Sequence, residues 1–262
     1  MYFEGGDRMV QEFRLIFDSI PEAFDRYRPR YNEAAFEALI RAGSIGPGCR
    51  VLEIGPGTGQ ATEPVLKTGC EYHAIELGKN FAARMQEKFG SYENFHLVQD
   101  DFITHDFGNM RFDVIYSAAT IQWIPEEIAY SRCFDLLKDG GVLAMMYMGS
   151  DYRTPNEALY QRIQQVYQAH WHPREHYSKK GFGYGNALQY GFSTLEKQEF
   201  KSRRVLDGDT YAAMSGTHCD HIDIPEPHKT LFFDGLRDAV KAFGNKIEFL
   251  DTVTLWTAGK PE

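Results

Sequence analysis

Apolar runs of strand length alternate along this chain with stretches whose apolar positions recur at helical spacing. The strand-like runs are residues 51–54, 72–75, 95–98, 112–116 and 142–147. Between them, residues 60–68, 81–89 and 126–137 read as helices, the last stopped by Asp139, Gly140 and Gly141. A parallel strand covered on both faces reads as a near-continuous apolar run, and strands alternating with helices imply a parallel sheet with helices on both sides. The tail adds a strand at 200–206, a helix at 231–243 and a strand at 246–256. The predicted fold is α/β, a doubly wound and mostly parallel seven-stranded sheet.

The first strand runs straight into Gly55-Pro56-Gly57-Thr58-Gly59-Gln60. Glycines let a backbone turn tightly and approach a ligand closely, and the helix predicted next offers unpaired N–H groups to an anionic or polar cofactor. Spacing narrows the choice of nucleotide. A dinucleotide fingerprint reads G-x-G-x-x-G, whereas these glycines fall as G-x-G-x-G with Gln60 where the third would stand. The Gly-Lys-Ser/Thr end of a Walker loop is also missing. The second strand ends in Glu76, about 20 residues past the glycines, where a carboxylate can accept hydrogen bonds from both vicinal hydroxyls of a ribose.

These features resemble the class I S-adenosylmethionine (SAM)-dependent methyltransferases of the methyltransferase-11 type, nearest to small-molecule enzymes of the trans-aconitate methyltransferase kind. The resemblance covers about residues 20–257, with specific motifs at 51–148. It implies a Rossmann-like methyltransferase sheet with an antiparallel last strand and a helical lid. Glu53 is then the acid two residues before the first glycine, and Gly55, Pro56, Gly57 and Gly59 form the cofactor loop. Glu76, followed by Leu77, holds the ribose. Asp101 accepts from the adenine amino group with Phe102 against the ring, Asp100 being the alternative register. Ser117 and Ala118 lie beside the methionine part of the cofactor, and Gln122 and Trp123 beneath the pocket floor; Trp123 as a plain core aromatic stays open.

Outside this core, the Arg/Tyr-rich stretch with Tyr27, Arg28 and Arg30 is similar to lead-ins that hold the methionine carboxylate, a task suited to the planar fork of arginine. The organisation expected is one domain over 1–262, with a helical cap at 1–42 and a lid at 149–200 inserted between strands five and six. The lid carries His170, His172 and His176, and a later loop carries His218, Cys219 and His221. Neither has the spacing of a zinc site, so no metal is expected and a substrate-pocket lining is the better reading.

Composition adds exclusions. The 262 residues suit one α/β domain able to bury roughly 75% of its unfolded surface, with ordinary hydrophobic (43%) and charged (25%) fractions. No apolar run approaches the ~20 residues of a membrane span, and Met1-Tyr2-Phe3-Glu4 lacks the start of a secretory signal. The four cysteines form no C-x-x-C, so a reducing cytoplasm is expected. A net charge of −9 opposes nucleic-acid binding, although Lys197, Lys201, Arg203 and Arg204 make one local basic stretch.

The resemblance therefore implies in-line transfer of a methyl group from SAM to an oxygen or nitrogen of a small molecule, a carboxylate being one candidate. An ionised carboxylate needs no base; a phenol or amine would use one, with His170, His172, His218 or His221 available. No catalytic residue is assigned, and a homodimer is allowed. The competing readings are a non-catalytic SAM-binding module and a nicotinamide-dependent oxidoreductase. The second is opposed by Gln60 and by the absence of a Tyr-x-x-x-Lys pair after strand five.

Overall fold

A computed structural model describes residues 14–173 and 181–262. The central strands are β1 (Arg50–Ile54), β2 (Glu71–Glu76), β3 (Phe95–Gln99) and β4 (Phe112–Ala118), joined by parallel ladders in the order β3-β2-β1-β4. β5 (Leu137–Asp151) pairs parallel to β4, and β7 (Ile247–Gly259) and β6 (Thr194–Leu206) complete a seven-stranded sheet in the order β5-β7-β6. The last pairings are antiparallel. Gly140 N–H donates to Pro261 O and Lys260 N–H to Gly141 O, while Ser193 N–H donates to Gly259 O at the opposite strand's far end. This is the doubly wound sheet expected, with order reversing between β1 and β4, where such sheets open a crevice for a ligand.

Three boundaries differ from the sequence reading. The helix expected at 60–68 is only α3 (Thr62–Leu66), because glycine turns occupy the preceding residues; it follows α1 (Pro21–Tyr27) and α2 (Glu33–Ala42). After α4 (Lys79–Phe89) and α5 (Glu126–Leu136), β5 begins at Leu137 rather than 142. Asp139, Gly140 and Gly141 belong to this strand, with Gly140 at φ +73°, because the chain's tail pairs with them. β6 begins at Thr194, six residues earlier than its apolar pattern suggested.

The chain divides into two compact units. The larger comprises residues 30–148, 181–200 and 253–262 and holds two apolar layers on the faces of its strands. Val51, Tyr72, Ala74 and Tyr116 fill one layer with Phe36 and Leu39 of α2 and Met85 and Phe89 of α4. Leu52, Ile54, Ile75 and Ile115 fill the other with Tyr130 and Cys133 of α5. The spacing i, i+3/i+4 on these helices puts their apolar residues on one face. The second unit, residues 14–29, 149–173 and 201–252, is built on α6 (Glu157–His170) and α9 (His228–Ala242). Leu159, Ile163 and Val166 pack there with Phe232, Leu236 and Val240, beside α7 (Gly208–Ser215) and α8 (Cys219–Ile222). Among the described residues no helix is long and apolar enough to cross a membrane, and the four cysteines are free thiols.

Candidate functional site

The glycine loop leaves the carboxyl end of β1 with Gly55, Gly57 and Gly59 all in the left-handed region, at φ +62°, +61° and +87°. Only glycine adopts such a run without strain. Gly59 N–H donates to Pro56 O at 2.9 Å and closes the turn, while Gly55 N–H donates to Ile75 O and ties the loop to β2. A side chain has no room at either end: a Cβ on Gly55 would lie 2.2 Å from Thr120 Cγ2, and one on Gly59 2.5 Å from Phe89 Cε2. Thr120 also donates its hydroxyl to Gly55 O at 2.8 Å, and Lys88 Nζ donates to Thr58 O at 2.6 Å.

Glu76 reaches this loop from the end of β2. Its Oε2 accepts from Gly57 N at 2.9 Å and its Oε1 from Gly78 N at 2.8 Å, with 6% of the residue exposed. Leu77 beside it is half-buried, its carbonyl accepting from Gln99 Nε2 at 3.1 Å. Asp101 follows β3; one of its oxygens accepts from Ile103 N at 2.9 Å and fixes the turn. Asp100 is more exposed and bonds His105 Nδ1 at 2.8 Å. Phe102 is buried under the guanidinium of Arg132, which lies 5.4 Å from the ring centroid.

Glu53 is placed differently from the other acids. It is 1% exposed and points into the layer beneath the loop, where its Oε2 accepts from Thr62 Oγ1 at 2.6 Å and from the Tyr72 hydroxyl. Tyr72 and Tyr116 share a further hydrogen bond at 2.6 Å. Strand register explains the cluster, since Glu53 pairs with Tyr116 and Tyr72 pairs with Val51, two residues from Glu53 on the same face. Motif reading picked out Glu53 and missed both tyrosines, which alignment of the three strands would have found. Burial pushes the Glu53 carboxyl up to about 6 against the stabilising hydroxyls. An acid with a raised folded value makes the native state bind the extra proton, so stability falls as pH rises through that window. The expected result is that Glu53→Gln gains about 2 kcal/mol relative to wild type between pH 4.5 and 7, read from urea unfolding at the two pH values. A difference that stays constant across that range would remove the ionisation argument.

The end of β4 closes the other side. Ser117 Oγ donates to Ile54 O at 3.1 Å and accepts from Ile121 N at 3.0 Å, which pins the loop after β4 to β1. Ala118 is half-buried, and Ala119 holds φ +55°. Gln122 donates to Ala119 O and accepts from the Tyr184 hydroxyl at 2.9 Å; Trp123 is half-buried beside it. Tyr184 stacks on Trp256 at 4.4 Å.

Tyr27 packs on the core of the smaller unit and Arg30 belongs to the larger one. Arg28 Nη2 donates to Thr217 O at 2.6 Å, with its guanidinium over the rings of Phe17 and Phe24. His221 is 2% exposed and engaged on both nitrogens, to Ser215 O at 2.8 Å and the Tyr167 hydroxyl at 3.3 Å; it is a core histidine and not an available base. Burial and then Arg28 hold His218 well below the usual imidazole range. His172 is exposed and His170 ends α6, while His176 lies outside the described residues. Of the four basic residues on β6, Lys197 pairs with Glu199, Arg203 with Glu248, and Arg204 with the buried Asp251.

Glycine loop, β2 acid, β3 acid and β4 loop on this sheet order define a class I SAM-dependent methyltransferase fold. Residues 52–143 match the family described as a methyltransferase domain. Two curated relatives are both ribosomal RNA small subunit methyltransferase A. The protein from Thermosynechococcus vestitus is 40% identical over 75 residues, 29% of this chain and 28% of the relative. That from Pseudomonas putida is 30% identical over 117 residues, 45% of this chain and 43% of the relative. The chain thus spans less than half the length of these relatives. Among solved structures, Haemonchus contortus phosphoethanolamine N-methyltransferase 2, in complex with phosphomonomethylethanolamine and S-adenosylhomocysteine, superposes with TM-score 0.55 at 19% identity, covering 95% of this chain and 60% of that one. The YcgJ protein from Bacillus subtilis gives 0.56 at 15% identity, covering 88% and 100%. At these identities the solved structures share the fold.

Proposed function

We propose that this protein transfers the methyl group of SAM to an oxygen or nitrogen atom of a small molecule, a carboxylate being one candidate. The observation that carries the reading is the Glu76 carboxylate bonded to Gly57 N inside a loop of three left-handed glycines. In this proposal Gly55, Pro56, Gly57 and Gly59 give the cofactor a close backbone approach, and Glu76, flanked by Leu77, accepts from the ribose hydroxyls. Asp101 accepts from the adenine amino group, Phe102 backs the ring, and Ser117 and Ala118 border the methionine end. Arg30, in the same unit as the glycine loop, is proposed at the methionine carboxylate. Glu53 serves the same site from below, by holding α3 and β2 in place.

When bound, SAM supplies an electrophilic methyl on a sulfonium, displaced in line by the acceptor. What the chain must do is hold both reactants at about 3 to 3.5 Å in that alignment and exclude water, which accounts for much of the acceleration. An ionised carboxylate acceptor needs no proton removed. For a phenol or amine, His170, His172 and His218 remain the candidate bases, His221 being engaged on both nitrogens.

A second reading, methylation of ribosomal RNA, is favoured by the names of the curated relatives. The net charge of −9 and the paired state of Lys197, Arg203 and Arg204 speak against a phosphate-backbone partner. The test is calorimetric titration with S-adenosylhomocysteine, with NAD in parallel, followed by labelled-methyl transfer to small carboxylates, phenols, amines and small-subunit ribosomal RNA. Binding of S-adenosylhomocysteine alone with label in a small molecule is expected. NAD binding, or none, overturns the cofactor; label confined to RNA replaces the acceptor class; binding with no transfer to any acceptor indicates a SAM-binding module.

A further inference from the structure

The amino ends of β2 and β3 carry a group of donors that the methyl-transfer reading does not use. Glu71 opens β2 and Glu76 closes it, so at ~3.3 Å per residue the two acids are roughly 16 Å apart along the strand. His73 lies two residues after Glu71 on the same face, and the parallel register sets His96 of β3 directly opposite His73. The two imidazole centroids are 4.8 Å apart, and His73 Nε2 is 3.0 Å from Glu71 Oε1. One ligating atom from each of the three residues falls within 4.8 Å of the others.

We propose that Glu71, His73 and His96 bind a divalent transition-metal ion of the zinc class. Two imidazoles and one carboxylate, with a position left for water, make a nitrogen–oxygen ligand set suited to zinc, and imidazoles disfavour magnesium or calcium. The surroundings prepare the ligands. Arg50 Nη2 sits 2.9 Å from Glu71 Oε2 and fixes the carboxylate with Oε1 turned toward His73. The Phe112 ring meets His73 edge-on at 5.6 Å and supplies an apolar wall. On a tetrahedral zinc with ligands at ~2.0 to 2.1 Å, donor atoms stand ~3.3 Å apart. His96 is exposed, so its ring can turn to close the difference. His73 gives up its hydrogen bond to Glu71 by carrying its proton on Nδ1. The bound ion would staple edge strand β3 to β2.

The experiment is equilibrium dialysis of the full chain, free of any affinity tag, against zinc chloride alone, with the visible spectrum of the cobalt form as a second readout. One equivalent of zinc and a four-coordinate nitrogen–oxygen cobalt spectrum are expected. His96→Ala and His73→Ala should each weaken zinc at least tenfold. Because His96 is exposed, its variant should keep the wild-type near-ultraviolet circular dichroism, which separates ligand loss from misfolding. Absence of bound zinc, or an affinity unchanged in the double variant, overturns the site. Neither outcome depends on cofactor binding at the glycine loop.

Discussion

Replacing Glu76 with alanine is expected to weaken S-adenosylhomocysteine binding by about 1 to 3 kcal/mol, a factor of roughly 5 to 150. Two losses combine. The proposed acceptor for the ribose hydroxyls disappears, and the N–H groups of Gly57 and Gly78 lose their partner in a site where 6% of the residue is exposed. Calorimetry measures the first, and a thermal melt without ligand reports the second. Glu76→Gln divides them further, because the amide keeps one acceptor oxygen but turns an NH2 group toward one of the two backbone N–H donors. Wild-type affinity in the alanine variant would remove the ribose assignment.

Gly55→Ala is expected to destabilise the fold by about 2 to 5 kcal/mol. About 1 to 2 kcal/mol comes from the left-handed backbone at φ +62° and about 1 to 3 from forcing a methyl against Thr120 Cγ2 at 2.2 Å. In a chain of this size that corresponds to a fall in Tm of roughly 5 to 15 °C. Gly46→Ala is the matched comparison, since a Cβ there meets nothing within 4 Å, and its effect should stay within about 0.5 kcal/mol. Equal melting temperatures for the two variants would mean that the glycine loop yields without cost.

The central sheet was readable because its information is local. Residues 51–54, 72–75 and 95–98 are mostly apolar, each broken once (by Glu53, His73 and His96), and the glycines that follow β1 are needed where the backbone turns left-handed. β6 was read short because it shows a faint apolar pattern: most of Thr194–Leu206 is exposed, so burial imprints little periodicity on it. β5 was read short for another reason, since Gly140-Gly141 mimics a helix stop and only the distant Lys260 and Pro261 reveal a strand pairing. The site divides likewise. Glu76 and the glycines were found by spacing, whereas the interior place of Glu53 depends on Tyr72 and Tyr116 from two other strands. His221 looked available in sequence because nothing nearby in the chain announces its contacts with Tyr167 and Ser215.

All the groups proposed to hold the cofactor's nucleoside, and those bordering its sulfur, lie at the carboxyl ends of β1 to β4 or on the loops that follow them, within residues 53–118. The smaller unit is stitched from three separated stretches, one ahead of the larger unit in the chain and two that interrupt it. Under the proposed function such an arrangement works as a cassette, with the cofactor half kept apart in sequence from insertions that are free to set what is methylated. The similarity to the ribosomal RNA enzymes over 75 to 117 residues is a fragment of kinship that speaks for the shared donor and carries no vote on the acceptor.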